Sequence, residues 1–129
     1  MVYSKDDVIE RFEALFQDKV VLPDSLVSVW FDMAVAQFAA EIDSLEYNPR
    51  TGRFGDSVDS YVISILAEYI KQYYMEREVS KVNKRISIVG KDLSIDGSNG
   101  AKKYAEEELL YIKDKVSEMV DNLKPTAYQ

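Results

Sequence analysis

The stretch that decides the fold is residues 57–74, SVDSYVISILAEYIKQYY, in which apolar side chains surround much of a helix. A helix at the surface of a bundle has one apolar stripe, whereas this broader pattern predicts contacts on more than one side. We therefore expect a central helix, the third in the chain, to begin near Ser57. Its apolar positions are Val58, Val62, Ile65, Leu66, Tyr69, Ile70 and Tyr73.

Two amphipathic helices are predicted before this one. Ser4 opens the first with the spacing of a capping box, and apolar residues follow at helical spacing to Phe16. Pro23 separates the two helices, and Asp24 or Ser25 is predicted to cap the second. The apolar stripe of the second helix comprises Val27, Trp30, Phe31, Ala34, Phe38 and Ile42.

The pattern changes after the central helix, in residues 85–100, RISIVGKDLSIDGSNG. Ile86 and Ile88 alternate with polar residues, a glycine follows, and Leu93 and Ile95 alternate again. Alternation of this kind predicts two short strands joined by a turn, as a hairpin or an edge strand. An edge strand has unpaired backbone groups that a second chain can complete; a self-contained hairpin against the bundle fits the pattern equally well.

A last helix is predicted from Ser98 or Asn99 to Leu123, and Pro125 stops it. Its apolar residues recur at alternating steps of four and three, which is typical of a long helix–helix contact within one chain or between chains. These residues are Ala105, Leu109, Ile112, Val116, Met119 and Leu123.

The sequence as a whole predicts a mainly α single domain over residues 1–129. The predicted fold is a bundle of about four helices, with a short β-hairpin or edge strand before the C-terminal helix. Residues 43–57 contain a proline and two glycines and no apolar period, so we expect a mobile loop there. Residues 124–129 form a short tail.

The composition restricts the chemistry. The chain has no histidine and no cysteine, so the commonest general base, the thiolate nucleophile and the two main zinc ligands are absent. No carboxylates converge on the predicted apolar stripes, so we expect no enzyme, no cofactor and no metal site. The sequence contains neither a secretory signal nor an apolar run that could span a membrane.

The net charge of −7 is concentrated in the first 48 residues, which hold three bases and ten acids. The remainder is neutral. An acidic surface repels phosphate backbones, which disfavours extensive nucleic-acid binding.

Two short motifs could bind ions or partners. Residues 92–97, DLSIDG, match the opening of an EF-hand loop, but its twelfth position is Lys103 where a bidentate glutamate is required. A strand followed by an Asp-Gly turn is the better interpretation. Residues 50–55, RTGRFG, offer two arginines to an anion but lack the lysine and the strand–loop–helix context of a P-loop. A solvated loop is the favoured interpretation there, and a protein surface or passing DNA is a better partner than a nucleotide.

The arrangement of these elements resembles the head–tail connector proteins of tailed bacteriophages, also called adaptor or head-completion proteins. The resemblance rests on chain length, on the tyrosine-rich helix at LAEYIKQYYMERE, on the segment KRISIVGKDLSIDGSNG that follows it, and on the C-terminal helix. It covers about residues 24–123. The N-terminal helix and the loop EYNPRTGRFGD have no counterpart in the family pattern.

The resemblance implies a virion protein at the head–tail junction, assembled in the host cytoplasm. Its partners would be the portal protein and neighbouring connector or tail-completion proteins. The subunit would form a ring under the portal that extends the DNA channel, and could be monomeric when free. DNA would pass the channel without sequence-specific binding, which an acidic wall favours. The candidate interface residues are Ile86, Ile88, Leu93, Ile95, Arg50, Arg53, Phe54, Leu123 and Tyr128.

A stand-alone helical interaction or regulatory module is the alternative function. The heptad pattern of the last helix, the acidic charge and the nine tyrosines suit such a module equally well.

Overall fold

The computed structural model describes residues 2–16, 22–89 and 96–123, and within them all side chains outside 85–89 and 96–101. Four helices and one two-stranded sheet are found in these ranges. The elements are α1 (Lys5–Glu13), α2 (Asp24–Glu41), β1 (Tyr47–Asn48), β2 (Arg53–Phe54), α3 (Ser60–Val89) and α4 (Asp96–Leu123).

The central position of α3 confirms the prediction from residues 57–74. The helix packs against α1, α2 and α4, and residues 65–70 are all buried, which is more than one full turn. Burial around the whole circumference explains why the apolar pattern is too broad for a single stripe. The only charged side chain in this buried turn is that of Glu68.

The start of α1 follows the predicted capping box. The Ser4 backbone N–H donates to Asp7 Oδ2 at 2.7 Å, and the Asp7 N–H donates to Ser4 Oγ at 3.3 Å. The two reciprocal bonds of the capping box are thereby present. The predicted cap of α2 is wrong: Asp24 is already helical, and Pro23 precedes it without a side-chain cap bond.

Helices α3 and α4 form a long antiparallel pair. Tyr61, near the start of α3, donates its hydroxyl hydrogen to the carbonyl of Met119, near the end of α4 (3.1 Å). Further along, Glu68 pairs with Lys115. The predicted heptad faces this contact: Ala105, Ile112 and Val116 are buried, and Leu109, Met119 and Leu123 pack half-buried against the core.

The fold class is confirmed, but the hairpin occupies a different place in the chain. Ile86 and Ile88 lie in α3, which continues to Val89, so the strand predicted there is wrong. Two alternating isoleucines are too few to outweigh a helix that is already formed, because β-branched residues cost it only a few tenths of a kcal/mol each. Leu93 and Ile95 lie outside the described residues.

The observed hairpin is β1–β2, within the segment predicted to be a loop. Tyr47 pairs with Phe54, and Asn48 pairs with Arg53. The mobility of residues 43–57 stays a prediction. Among the described helices, none combines the length and apolar character needed to cross a bilayer.

Two tyrosines between α2 and α3 are expected to make the stability of the fold decrease at alkaline pH. Tyr69 donates to Glu41 Oε2 at 2.7 Å, and the Tyr73 hydroxyl bonds to Gln37. Burial, and then the Glu41 carboxylate, raise the pKa of Tyr69 well above 10. Burial is also the main cause that raises the pKa of Tyr73 to about 12.

We expect the free energy of unfolding to fall as the pH rises from about 10 through about 12. The unfolded chain releases phenolic protons near pH 10, whereas the folded chain keeps them, so ionisation favours unfolding in that window and not below it. Urea unfolding at successive pH values measures this slope. In Tyr73→Phe the slope should be smaller; a slope equal to that of the wild type would contradict the assignment to Tyr73.

Candidate interaction surfaces

The tip of the hairpin, defined as residues 49–53, is a tight turn that presents two arginines. Gly52 donates its N–H to the carbonyl of Asn48 at 2.8 Å and has a φ of +68°, which favours glycine. The Arg50 N–H donates to Asn48 Oδ1 at 2.9 Å. The side chains of Arg50 and Arg53 are exposed, and neither makes an ion pair or a hydrogen bond to any side chain that the structure describes.

The hairpin is fixed to the N-terminal segment through its backbone. The Lys5 N–H donates to the carbonyl of Gly52 at 2.7 Å, and the Phe54 N–H donates to the carbonyl of Tyr3 at 2.8 Å. These bonds make residues 3–5 a third partner of the sheet and fix the backbone of the hairpin relative to α1.

Phe54 anchors the hairpin to the core. Only 3% of Phe54 is exposed, and its ring centroid lies 4.8 Å from that of Tyr47 and 6.1 Å from that of Phe31 in α2. A side chain enclosed in this way stabilises the fold and is not available to a partner. We therefore correct its predicted role as an interface residue.

The outer face of α4, defined as Tyr104, Glu107, Leu110, Tyr111 and Asp114, combines apolar and acidic groups, and one base, the exposed Lys103, lies on the same side one turn before Glu107. Tyr104, Leu110 and Tyr111 are more than 60% exposed, and Glu107 and Asp114 are also exposed. On the opposite side of the helix the chain buries its heptad residues against α3. Tyrosine in such a position is typical of surfaces that become covered on association.

The sequence indicated the tyrosines as suited to an interface, but this face was not among the candidate interface residues. The signal was present in the spacing: Tyr104, Glu107, Tyr111 and Asp114 follow each other at steps of three and four, which places them on one side of a helix.

A second exposed apolar surface lies on α2. Val29 is 53% and Met33 is 45% exposed, and Ala36 and Ala40 continue the same stripe. Helix α2 therefore has apolar residues on its buried side and on part of its outer side.

An ion pair with a buried carboxylate joins α3 to α4. Lys115 Nζ donates to Glu68 Oε1 at 2.7 Å, and Glu68 is only 3% exposed. Within the described residues the other carboxylate oxygen, Oε2, has no hydrogen-bond partner. The pair lies in the contact between the two helices, and because its carboxylate is buried there we assign it to stability.

Of the other predicted interface residues, only Leu123 has a side chain within the described part of the structure. Leu123 packs half-buried at the end of α4. Ile86 and Ile88 are at the far end of α3, and their side chains lie outside the described part of the structure, as do Leu93, Ile95 and Tyr128 entirely. The EF-hand-like segment also falls largely outside it; in the described residues no group of three or more carboxylates is placed to hold a metal ion.

No family model, curated protein or solved structure matches the chain.

Proposed function

We propose that this chain is a subunit of the head–tail connector of a tailed bacteriophage, which forms a ring under the portal, extends the DNA channel and joins head to tail. The observation that carries the proposal is the presence of two unlike exposed surfaces on one small helical body. The hairpin tip is basic and the outer face of α4 is aromatic and acidic. A ring subunit needs two such different surfaces, because head-to-tail contacts join one to the other around a closed circle.

The charge of the chain supports the same role. A connector must let DNA pass without retaining it, and a net charge of −7 disfavours lasting phosphate contacts. Asp6 and Glu10 are largely free to serve in this way, whereas Asp7 accepts hydrogen bonds from Ser4 in the helix cap. The portal and the tail-completion proteins are the proposed partners, and the head–tail junction of the virion is the proposed location.

The alternative function is a stand-alone helical interaction module. The exposed apolar stripe of α2, at Val29 and Met33, favours it, since a single partner helix lying on that stripe would cover it. Such a module would act without a portal.

The test adds purified chain to DNA-filled heads from a phage in which this gene is deleted. We expect the chain to bind these heads and to raise the titre of infectious particles when tails are supplied. Heads without added chain are the control. Unchanged titre, with no chain sedimenting with the heads, would contradict the connector role and direct attention to the alternative.

A further inference from the structure

The outer face of α4 is not covered by any residue in the part of the chain that the structure describes. Tyr104, Leu110 and Tyr111 remain exposed although α4 packs along α3. The hairpin instead packs on α2, where the Phe31 ring meets those of Tyr47 and Phe54. Any hairpin arginine that reaches the outer face of α4 must therefore come from another copy.

The two surfaces have complementary chemistry. Arginine binds carboxylates through paired N–H donors and stacks its planar guanidinium on aromatic rings. On α4, Glu107 and Asp114 alternate with Tyr104 and Tyr111 along one side, so each acid has an aromatic neighbour. The hairpin tip supplies Arg50 and Arg53, held three residues apart by the turn.

Other occupants fit this face less well. A second α4 would offer the two acids of this face one base, Lys103, on the same side of the helix, and DNA would be repelled by the acids. The outer stripe of α2 also fits poorly, because α2 carries Asp24, Asp32 and Glu41 and no base. The hairpin tip presents two exposed arginines close together, and neither makes an ion pair with a described side chain.

We propose that Arg50 and Arg53 of one copy contact the outer face of α4 of a second copy. The inference rests on the proposed function, since it specifies the contact that would repeat around the connector ring. The contact is heterologous, so each copy uses one surface for each neighbour.

Single-cysteine variants test the contact cleanly because the chain has no cysteine of its own. Thr51 lies in the hairpin tip and Leu110 on the outer face of α4; both are exposed. When Thr51→Cys and Leu110→Cys chains are mixed and oxidised, we expect a disulfide-linked heterodimer. The matched control replaces Leu110→Cys by Ser80→Cys, at an exposed position on α3.

Charge reversal supplies the second measurement. Adding Arg50→Glu and Arg53→Glu to the Thr51→Cys chain should lower the heterodimer yield about tenfold at sub-saturating concentration, which corresponds to a loss of about 1.4 kcal/mol. Adding Glu107→Arg and Asp114→Arg to the Leu110→Cys partner should restore the yield.

Heterodimer no more abundant than with Ser80→Cys would overturn the inference, as would a yield insensitive to charge reversal. If the arginines instead bind duplex DNA, the Arg50→Glu, Arg53→Glu chain will lose DNA binding while the wild type shows no specific cross-link, which also overturns it. A specific cross-link in a chain that fails to complete heads leaves the contact standing and removes the connector role. Head completion by a chain that forms no specific cross-link would leave the connector role standing and remove the proposed contact.

Discussion

Replacing Phe31 by alanine is expected to destabilise the folded chain by about 3–5 kcal/mol, the usual cost of emptying a large aromatic site in a core. Phe31 is fully buried in α2, and its ring centroid lies 5.2 Å from that of Tyr47 and 6.1 Å from that of Phe54. Lys5 Nζ lies 5.3 Å from the centroid of the same ring. The side chain therefore joins α2, the hairpin and the start of α1.

Urea unfolding followed by circular dichroism measures this loss. Val29→Ala is the matched control, because Val29 lies two residues away on the same helix and is 53% exposed. We expect the control to change stability by no more than about 0.5 kcal/mol. In Phe31→Ala, hydrogen exchange should also accelerate at the Phe54 and Gly55 amides, which bond to Tyr3 and Glu46. A cost below about 1 kcal/mol would show that the hairpin does not depend on this ring.

Replacing Lys115 by alanine is expected to destabilise the chain by about 1–3 kcal/mol, since it leaves the Glu68 carboxylate buried with no cation. The larger figures measured for fully enclosed pairs do not apply, because the Lys115 side chain is 41% exposed. Lys113→Ala is the control: Lys113 is exposed on the same helix, and the structure describes no ion pair for it.

The double variant Glu68→Leu, Lys115→Met tests whether the attraction between the two charges makes a net contribution to stability. If the attraction between the charges does no more than offset the cost of burying them, an apolar pair of similar size should leave the stability unchanged or raise it. A double variant as unstable as Lys115→Ala alone would show instead that the attraction between the charges stabilises the contact between α3 and α4, because methionine keeps most of the apolar stem of lysine.

Much of the fold could be predicted because its decisive signals are local. The capping box at Ser4, the broad apolar pattern of residues 57–74 and the heptad of α4 each reflect contacts that repeat along one helix. The hairpin could not be placed in this way. Its stability comes from Phe54 packing on Phe31 and from the bond between Lys5 and Gly52, which join residues more than twenty positions apart.

The candidate site was predicted only in part. Arg50 and Arg53 are exposed in the hairpin, as the composition of this segment indicates. Phe54, which follows Arg53, is buried against the core instead. A phenylalanine beside exposed arginines gives no local sign of which way it turns. The tyrosines of α4 were indicated as suited to an interface but were not assembled into one face, because a tyrosine at the edge of a core fits the same pattern and only the structure shows that Tyr104 and Tyr111 are exposed.

The number of copies of this chain in purified phage particles, relative to the portal protein, tests the connector role most directly. Quantitative mass spectrometry with isotope-labelled peptides of both proteins gives that ratio. A connector ring predicts a ratio near one to one that is unchanged by density-gradient purification. Absence of the chain from mature particles would contradict the account, and the hairpin tip and the outer face of α4 would then belong to a protein that acts outside the virion.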